Sequence, residues 1–246
     1  MNQNIVIGRN PLLEVLQSEV ELEKIYMEKG NRQGSAKKIF ALARDKRILV
    51  TEVSKDFLDE ISEGANHQGV AGVLASYHYF DYDGIFKRLE ERGESPFFVV
   101  LDQIQDPHNF GAILRSCEGS GVNGVFIPMR RSVGVTPVVH KVSAGATNYV
   151  PVAKVKNISD TINRLKKDGI WVYGAAGEGA QSLYQTDLKG KIAIVIGNEG
   201  YGLGERVRKC CDGLISIPMK GKLDSLNASN ATAVILYEVV RQNETD

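Results

Sequence analysis

The sequence predicts an α/β protein made of two domains. Short strand and helix patterns alternate over residues 1–75, and this pattern breaks over residues 76–95. From residue 96 onwards the strands become continuous apolar runs without polar alternation. Such runs are typical of strands buried on both faces, as in a parallel sheet covered by crossover helices. We therefore predict a small α/β domain over 1–75, a linker over 76–95, and a domain with a mainly parallel sheet over 96–246.

The first domain opens with an apolar run, Ile5–Ile7, which predicts a strand. Asn10 is expected to cap the helix that follows, and Pro11 fits its first helical position. Leucines at positions 12, 13 and 16 give this helix one apolar face. The later elements of the domain are predicted as strands over 24–27, 48–50 and 70–74 and as helices over 36–44 and 55–61.

The second domain is predicted from five apolar runs and from the helical patterns between them. In chain order, the runs that predict strands are PFFVVLD, GVFIP, IWVYGA, KIAIVIG and GLISIPM. Helices are expected over 110–119, 158–167, 205–210 and 228–242, with one more inside the linker over 85–91.

Composition and length exclude several classes of protein. The chain has 246 residues, of which 43% are hydrophobic and 24% are charged, and these are ordinary globular values. No apolar run approaches the roughly 20 residues that span a bilayer. The first residues lack the basic and apolar regions of a signal peptide, so we expect a cytoplasmic protein without a membrane partner. Three cysteines and four scattered histidines match no disulfide framework or metal-ligand spacing, and no metal site is expected.

Charge is unevenly distributed along the chain. Lys+Arg and Asp+Glu are both 30, so the total charge argues neither for nor against nucleic acid. Residues 29–47, however, contain seven basic side chains against one acidic side chain, Asp45, which gives a local net charge of +6. This basic segment either meets phosphates or is a solvated helix face. Its basic residues are Lys29, Arg32, Lys37, Lys38, Arg44, Lys46 and Arg47.

One glycine motif is misleading. Gly119, Gly121 and Gly124 match the dinucleotide fingerprint G-x-G-x-x-G. That site needs a strand before the glycines and a helix after them, so that the helix N-terminus meets the pyrophosphate. Here a predicted helix precedes the glycines and a predicted strand follows them. The segment is therefore interpreted as a helix C-cap and a helix-to-strand turn.

A polar loop follows the first strand of the second domain and leads into a helix near Asn109. Asn109 and Arg115 are six residues apart, less than two helical turns, so both side chains can serve one cleft at the strand ends. The alternative is structural: Asn109 caps the helix and Arg115 pairs with a surface acid.

Two further polar stretches follow buried strands. Four glycines within eight residues surround Glu199, and such a loop lets the backbone approach a ligand closely. The alternative is a flexible turn. The other stretch runs from Ile217 to the start of the last helix, where Ser225 or Asn227 would be a good N-cap. A cap accounts for one of these two residues but not for both.

Together and in this order, the three stretches resemble the motifs of the SpoU (TrmH) family of RNA ribose 2′-O-methyltransferases, within the SPOUT superfamily. The matching segments are N-x-G-A-I-x-R at 109–115, I-G-N-E-G-x-G at 196–202, and I-P-M followed by S-L-N-x-S within 217–229. The resemblance covers residues 96–246. Residues 1–75, including NHQGVAG at 66–72, are similar to the L30e-like substrate-binding domain of some members. With this domain and this length, the chain most closely resembles members that methylate a guanosine of 23S ribosomal RNA, whereas related enzymes act on tRNA.

The resemblance implies a fold, a cofactor and partners. The catalytic domain would be an open, mainly parallel sheet whose C-terminal part is threaded into a trefoil knot. S-adenosylmethionine would be the cofactor, RNA the substrate and a homodimer the active form, with the last helix in the dimer interface. The residues implied to surround the cofactor are Ile196, Gly197, Ile217, Met219 and Leu226.

The resemblance also implies a chemistry. A ribose 2′-hydroxyl would attack the methyl carbon of the cofactor in line, which is chiefly a positioning task. Arg115 would either be deprotonated transiently or stay charged, clamp a phosphate and polarise the hydroxyl, since a guanidinium is normally always protonated. Two other functions are weighed: an RNA-binding protein without activity, and a nucleotide-dependent oxidoreductase. The implied catalytic residues are Asn109, Arg115, Glu199, Ser225 and Asn227.

Overall fold

The computed structural model describes residues 5–18, 22–31, 33–75, 77–177 and 179–244. The chain divides into two compact units, residues 1–78 and residues 79–246. The division lies three residues beyond the predicted end of the first domain. Most of the segment predicted as a linker therefore belongs to the second unit.

The first unit contains a four-stranded sheet and three helices. The order in the sheet is β1-β4-β2-β3, in which β4 is antiparallel to β1 and β2, and β2 is parallel to β3. All seven predicted elements are present, although β2 and β3 extend beyond their predicted bounds. The elements are β1 Ile5–Ile7, α1 Arg9–Gln17, β2 Leu22–Glu28, α2 Ser35–Asp45, β3 Leu49–Val53, α3 Lys55–Ile61 and β4 Val70–Leu74.

The prediction that Asn10 caps α1 is wrong. The helix begins one residue earlier, at Arg9, and Gly8 occupies the cap position with a positive φ of 95°. This conformation suits a residue without a Cβ, so the chain turns into the helix before Asn10. The predicted apolar face is present, and Leu12 and Leu16 are buried in the core of this unit.

The second unit is built on a seven-stranded sheet in the order β7-β6-β5-β10-β8-β11-β9, and every strand pair in it is parallel. The predicted mainly parallel sheet is therefore confirmed. The threading of the C-terminal loops into a knot stays a prediction. The strands are β5 Phe97–Leu101, β6 Gly124–Pro128, β7 Val152–Val155, β8 Trp171–Ala175, β9 Gln181–Ser182, β10 Ile192–Ile196 and β11 Gly213–Ser216.

Helices cover both faces of this sheet or connect its strands. The predicted α7 and α8 have their expected bounds, and the turn at Gly119–Gly124 joins α5 to β6 as interpreted from the sequence. Short 3-10 turns occupy Ala146–Asn148 and Leu183–Gln185. The helices are α4 Tyr82–Arg92, α5 Pro107–Gly119, α6 Pro137–Val142, α7 Ile158–Lys167, α8 Glu205–Cys210 and α9 Ala228–Asn243.

Helix α4 lies in the segment predicted as a linker. Asp81 caps it by accepting a hydrogen bond from the Gly84 N–H, and its side chains at 82, 85 and 89 enter the core of the second unit. Ile85 packs on Gly124, where an added Cβ would lie 2.9 Å from the Ile85 Cδ1 atom. The segment is therefore part of the packed unit and not a linker.

Because all the strands of this sheet are parallel, their carboxyl ends lie along one edge. Strand β10 is at the centre, next to β5 on one side and β8 on the other. Clefts at such edges are the usual ligand sites of parallel α/β sheets. Among the described residues, no helix is long and apolar enough to cross a membrane.

Candidate active site

A cleft of about 500 Å³ lies at the carboxyl edge of the seven-stranded sheet. Its walls come from the segments that follow β8, β10 and β11 and from the start of α9. All five residues predicted to surround the cofactor line it: Ile196, Gly197, Ile217, Met219 and Leu226. Three of the predicted catalytic residues line it as well: Glu199, Ser225 and Asn227.

The glycine loop, residues 197–204, forms one wall of the cleft. The backbones of Asn198 and Gly202 exchange two hydrogen bonds of 3.0 and 2.9 Å, which fold the loop into a tight turn. A Cβ on Gly197 would lie 2.3 Å from the Gly202 carbonyl carbon, so only glycine fits there. Gly202 has a φ of 68°, in the left-handed region that favours glycine. The glycines therefore produce a closely folded loop rather than a loose turn.

The glycine loop is attached to the end of β5. Buried Asp102 accepts a hydrogen bond from the Gly204 N–H at 2.9 Å. The carbonyl oxygen of Gln103 accepts from Asn198 Nδ2 at 2.9 Å, and its side-chain Oε1 accepts from the Tyr201 hydroxyl at 3.1 Å. Asp102 and Gln103 are not among the residues that the sequence motifs predict to be functional. The available signal was a carboxylate directly after a buried strand.

One residue from each of the three motifs joins in a polar cluster beside the cleft. Asn109 donates from Nδ2 to Glu199 Oε1 at 2.9 Å, and its Oδ1 accepts from Asn227 Nδ2 at 3.0 Å. Asn227 also caps α9, because its Oδ1 accepts from the Ser229 N–H at 2.9 Å. The two asparagine amides thus connect Glu199 to the first turn of the last helix.

Asn109 is available for this cluster because another residue caps α5. Asp106 accepts hydrogen bonds from the N–H groups of His108 and Asn109, at 3.1 and 3.3 Å. The structural alternative, in which Asn109 itself caps the helix, is therefore wrong. Helix α5 begins at Pro107, two residues before Asn109, and this places the asparagine side chain on the first turn of the helix.

Gly111 of the first motif has a packing role. A Cβ at this position would lie 2.7 Å from the Val142 Cβ and 3.0 Å from the Val139 carbonyl oxygen. Helix α6 can therefore approach α5 closely only because residue 111 is glycine. This contact fixes the helix that carries Asn109.

Arg115 does not join the cluster. Six residues along an α-helix rotate a side chain by about 600°, so Arg115 and Asn109 lie on different faces of α5. Arg115 is exposed, does not line the cleft, and has no hydrogen bond or ion pair within the described ranges. The alternative in which Arg115 pairs with a surface acid is thus not found there. Ser225 is exposed on the cleft wall without a hydrogen bond to the cluster.

The composition of the cleft fits a nucleoside-containing cofactor. Cofactor sites are typically 300–1,000 Å³ in volume and combine mainly apolar walls with a few placed polar groups. Here the apolar side chains are Ile196, Ile217, Met219 and Leu226, while the glycine loop brings its backbone to the wall at Gly197, Gly200 and Gly202. As for metals, no group of three or more His, Cys, Asp or Glu in the described part of the chain is placed to hold an ion.

Comparison with known families agrees with this geometry. Residues 96–237 match the family described as SpoU rRNA Methylase family. The chain belongs to this family. Residues 5–80 match a second family, described as RNA 2'-O ribose methyltransferase substrate binding. The two matches correspond closely to the two units of the structure.

The sequence matches to individual relatives cover nearly the whole chain. A putative TrmH family tRNA/rRNA methyltransferase YacO of Bacillus subtilis is 41% identical over 96% of this chain and 95% of its own length. A putative TrmH family tRNA/rRNA methyltransferase of Staphylococcus haemolyticus is 40% identical over 98% of this chain and 97% of its own length. The protein is accordingly an RNA methyltransferase of the TrmH/SpoU family.

A solved structure identifies the methyl donor. The SpoU methyltransferase AviRb of Streptomyces viridochromogenes, in complex with the cofactor AdoMet, is similar with a TM-score of 0.67. The two sequences are 25% identical, and the match covers 97% of this chain and 89% of that protein. S-adenosylmethionine is the cofactor of this enzyme, and the cleft described above has the size and walls to hold it.

Proposed function

We propose that this enzyme methylates a ribose 2′-hydroxyl of RNA, and that its substrate is a guanosine of 23S ribosomal RNA. The observation that carries the proposal is the polar cluster at the cleft: residues from three separate motifs meet where the resemblance places the reaction. The match of residues 5–80 to the substrate-binding region of RNA 2'-O ribose methyltransferases supports the same assignment.

The residues of the cleft would hold S-adenosylmethionine through the apolar side chains and the backbone of the glycine loop. When bound, the cofactor supplies an electrophilic methyl group attached to a positively charged sulfur. The chain itself has to align the ribose hydroxyl with that group, and such alignment accounts for much of the rate in a direct transfer. Asn109, Glu199 and Asn227 are placed to orient the ribose, with Ser225 on the adjacent wall.

Arg115 is assigned to binding a phosphate of the RNA backbone. Its guanidinium is exposed and unpaired within the described ranges, and a guanidinium binds phosphate through two parallel hydrogen bonds. A charged Arg115 would clamp a phosphate next to the ribose; to polarise the hydroxyl as well, its guanidinium has to reach the ribose from a different face of α5 than Asn109. Transient deprotonation of Arg115 is the alternative, and it requires a group that is normally always protonated to give up its proton.

The first unit is assigned to RNA binding. Helix α2 buries Ala36, Ile39 and Ala43 and turns its basic side chains to solvent. Lys37, Lys38 and Arg44 are exposed there and have no ion pair among the described residues, whereas Arg32 of the basic segment lies outside those residues. Exposed unpaired cations on one helix face suit RNA phosphates.

The active form is proposed to be a homodimer in the cytoplasm, with α9 contributing to the interface. Support comes from Tyr237, which is 53% exposed although most of α9 is packed against the rest of the second unit. A light-scattering mass of about twice the 27.0 kDa of one chain is expected. A monomeric mass at micromolar concentration would contradict the proposal.

Methyl transfer to two RNAs tests the function. Labelled S-adenosylmethionine is incubated with the enzyme and either unmodified 23S ribosomal RNA or bulk tRNA, and the label is mapped to base or ribose. Label on a ribose of ribosomal RNA is expected. Label on tRNA alone would favour the second candidate function, ribose methylation of tRNA. The tRNA/rRNA designation of both relatives supports that candidate. Label on a base would contradict ribose methylation.

Absence of label in either RNA would leave two explanations that differ in cofactor binding. An RNA-binding protein without activity would bind RNA but not S-adenosylmethionine. An enzyme that requires a ribosomal particle would bind both, and it would transfer label when given ribosomal subunits. Calorimetric titration with S-adenosylmethionine separates these outcomes.

A further inference from the structure

A second group of basic residues lies at the carboxyl edge of the seven-stranded sheet, beside the candidate active site. Arg130 and Arg131 follow β6, and Lys156 follows β7. The side chains of all three are exposed. Strand β6 is the neighbour of β5, whose end leads through the polar loop to Asn109. These three residues are called the basic edge below.

The loop that carries the two arginines is fixed on both sides. The Met129 N–H donates to the Val155 carbonyl oxygen at 2.9 Å, which attaches the start of the loop to β7. At its other end, the Val133 N–H and the Ser132 hydroxyl both donate to the Ile104 carbonyl oxygen, at 2.9 and 3.1 Å. A loop that is attached at both ends holds its side chains in a defined place.

The attachment point connects the basic edge to the active site. Ile104 follows Gln103, whose carbonyl and side chain hold the glycine loop, and precedes Asp106, which caps α5. The loop of the two arginines, the glycine loop and the helix that carries Asn109 are thus all attached to residues 102–106. The basic edge keeps a fixed position relative to the polar cluster.

The charges of the basic edge are not neutralised within the described part of the chain. None of its three side chains has an ion pair or hydrogen bond there. The nearby carboxylates of Asp102 and Asp106 are occupied by backbone N–H groups. Arg131 also has a φ of 59°, a left-handed conformation that is uncommon outside glycine and is often found at functional sites.

We propose that Arg130 and Arg131, together with Lys156, bind the phosphates of the RNA strand that flanks the methylated ribose. An RNA strand with one ribose at the polar cluster has to pass over the neighbouring surface, and the strand carries a negative charge at each nucleotide. Arginine binds phosphate through two hydrogen bonds, so adjacent arginines in a fixed loop suit consecutive phosphates. This inference rests on the proposed function, because it takes the cluster as the position of the target ribose.

The test compares two double variants of equal charge change. Arg130→Ala/Arg131→Ala removes two charges from the basic edge. Lys189→Ala/Lys191→Ala removes two from exposed residues that precede β10, at the opposite edge of the same sheet. The KM for RNA is measured between about 50 and 200 mM salt, and S-adenosylmethionine affinity is measured by calorimetry.

We expect the arginine variant to raise the RNA KM about tenfold at moderate salt. Each lost phosphate contact lowers the slope of log affinity against log salt by about 0.7 to 0.9, so a decrease of about 1.4 to 1.8 is expected. The lysine variant should change the RNA KM by less than about twofold and leave the salt slope unchanged, and S-adenosylmethionine affinity should be unchanged in both variants. Arg130→Lys/Arg131→Lys should retain most of the salt slope, because it keeps the charge.

Three results would overturn the inference: an unchanged salt slope in the arginine variant, an equal effect of the lysine variant, or a loss of S-adenosylmethionine affinity that points to a general disturbance of the site. Failure of the proposed function gives a different result. In that case the wild-type enzyme itself places no label on ribose, whereas failure of this inference alone leaves wild-type ribose methylation intact.

Discussion

The side-chain amide of Asn109 donates a hydrogen bond of 2.9 Å to the carboxylate of Glu199, a residue 90 positions later in the chain. The same asparagine accepts from Asn227, so it bridges the glycine loop and the first turn of α9. Both partners of Asn109 are exposed, and hydrogen bonds between exposed groups add little to stability. The bridge therefore orders the site more than it stabilises the fold.

Replacing Asn109 by Ala should impair turnover far more than folding. The substitution removes both bridging bonds, and Glu199 and Asn227 lose their common partner. We expect kcat to fall on the order of 100-fold, because small displacements of positioning groups can lower the rate by that much. The free energy of unfolding should change by about 1 kcal/mol. Steady-state methyl transfer and denaturant unfolding measure the two quantities, and a loss of stability without a loss of turnover would contradict this role.

Much of the fold was predictable because its signals are local. Apolar runs located the central strands, and helices α7 and α8 had their expected bounds. Helix α4 was only partly predicted, because its exposed face is rich in charged side chains and resembles a linker. Strand β7 has a polar residue, Lys154, among its four residues at the sheet edge, so it lacks the continuous apolar run of the buried strands.

The site was predictable as a set of residues but not as a set of contacts. The motifs indicated Asn109, Glu199 and Asn227 separately. The hydrogen bonds between these three residues depend on tertiary structure. The position of Arg115 away from the three residues depends on it too. The hydrogen bonds by which Asp102 and Gln103 hold the glycine loop were not predicted. A polar residue after a strand can bond to many other residues, and the sequence alone does not select one of them.

Arg115→Ala should remove most turnover while S-adenosylmethionine still binds. Arg115 does not line the cleft, so calorimetric affinity for the cofactor should stay within about twofold, whereas losing a charged clamp typically costs about 100-fold in rate. Arg115→Lys keeps a charge without the planar fork and should recover part of the rate. Activity of the alanine variant close to wild type would discard both roles considered for this residue.

The basic segment of the first unit should contribute to RNA affinity through charge. Replacing Lys37, Lys38 and Arg44 with Ala removes three exposed cations from α2. The slope of log RNA affinity against log salt should fall by about 2 to 3, and S-adenosylmethionine affinity should not change. Filter binding over a salt series measures this slope. An unchanged slope would identify the segment as a solvated helix face.

The three cysteines should differ in reactivity, because the thiolate is the nucleophile. Burial raises the pKa of Cys211 to about 12, and burial also raises the pKa of fully buried Cys117. Cys210 is partly exposed. Iodoacetamide at pH 8 should therefore modify Cys210 first in the native protein and all three after denaturation. Peptide mass spectrometry locates the label, and rapid native labelling of Cys117 would contradict the packing of α5.

Gly111→Ala should destabilise the second unit, although alanine favours helices over glycine by about 1 kcal/mol. The added Cβ would lie 2.7 Å from the Val142 Cβ, and such overpacking typically costs about 1 to 3 kcal/mol. Gly119→Ala, in the same helix, is the matched control, because its Cβ would meet only the hydroxyl of Tyr237, at 3.2 Å, at the end of a half-exposed side chain. Thermal unfolding should show a Tm lower by several degrees for the first variant and unchanged or higher for the second. Equal Tm values would mean that α6 moves away from α5 at little cost, and that residue 111 does not fix the helix carrying Asn109.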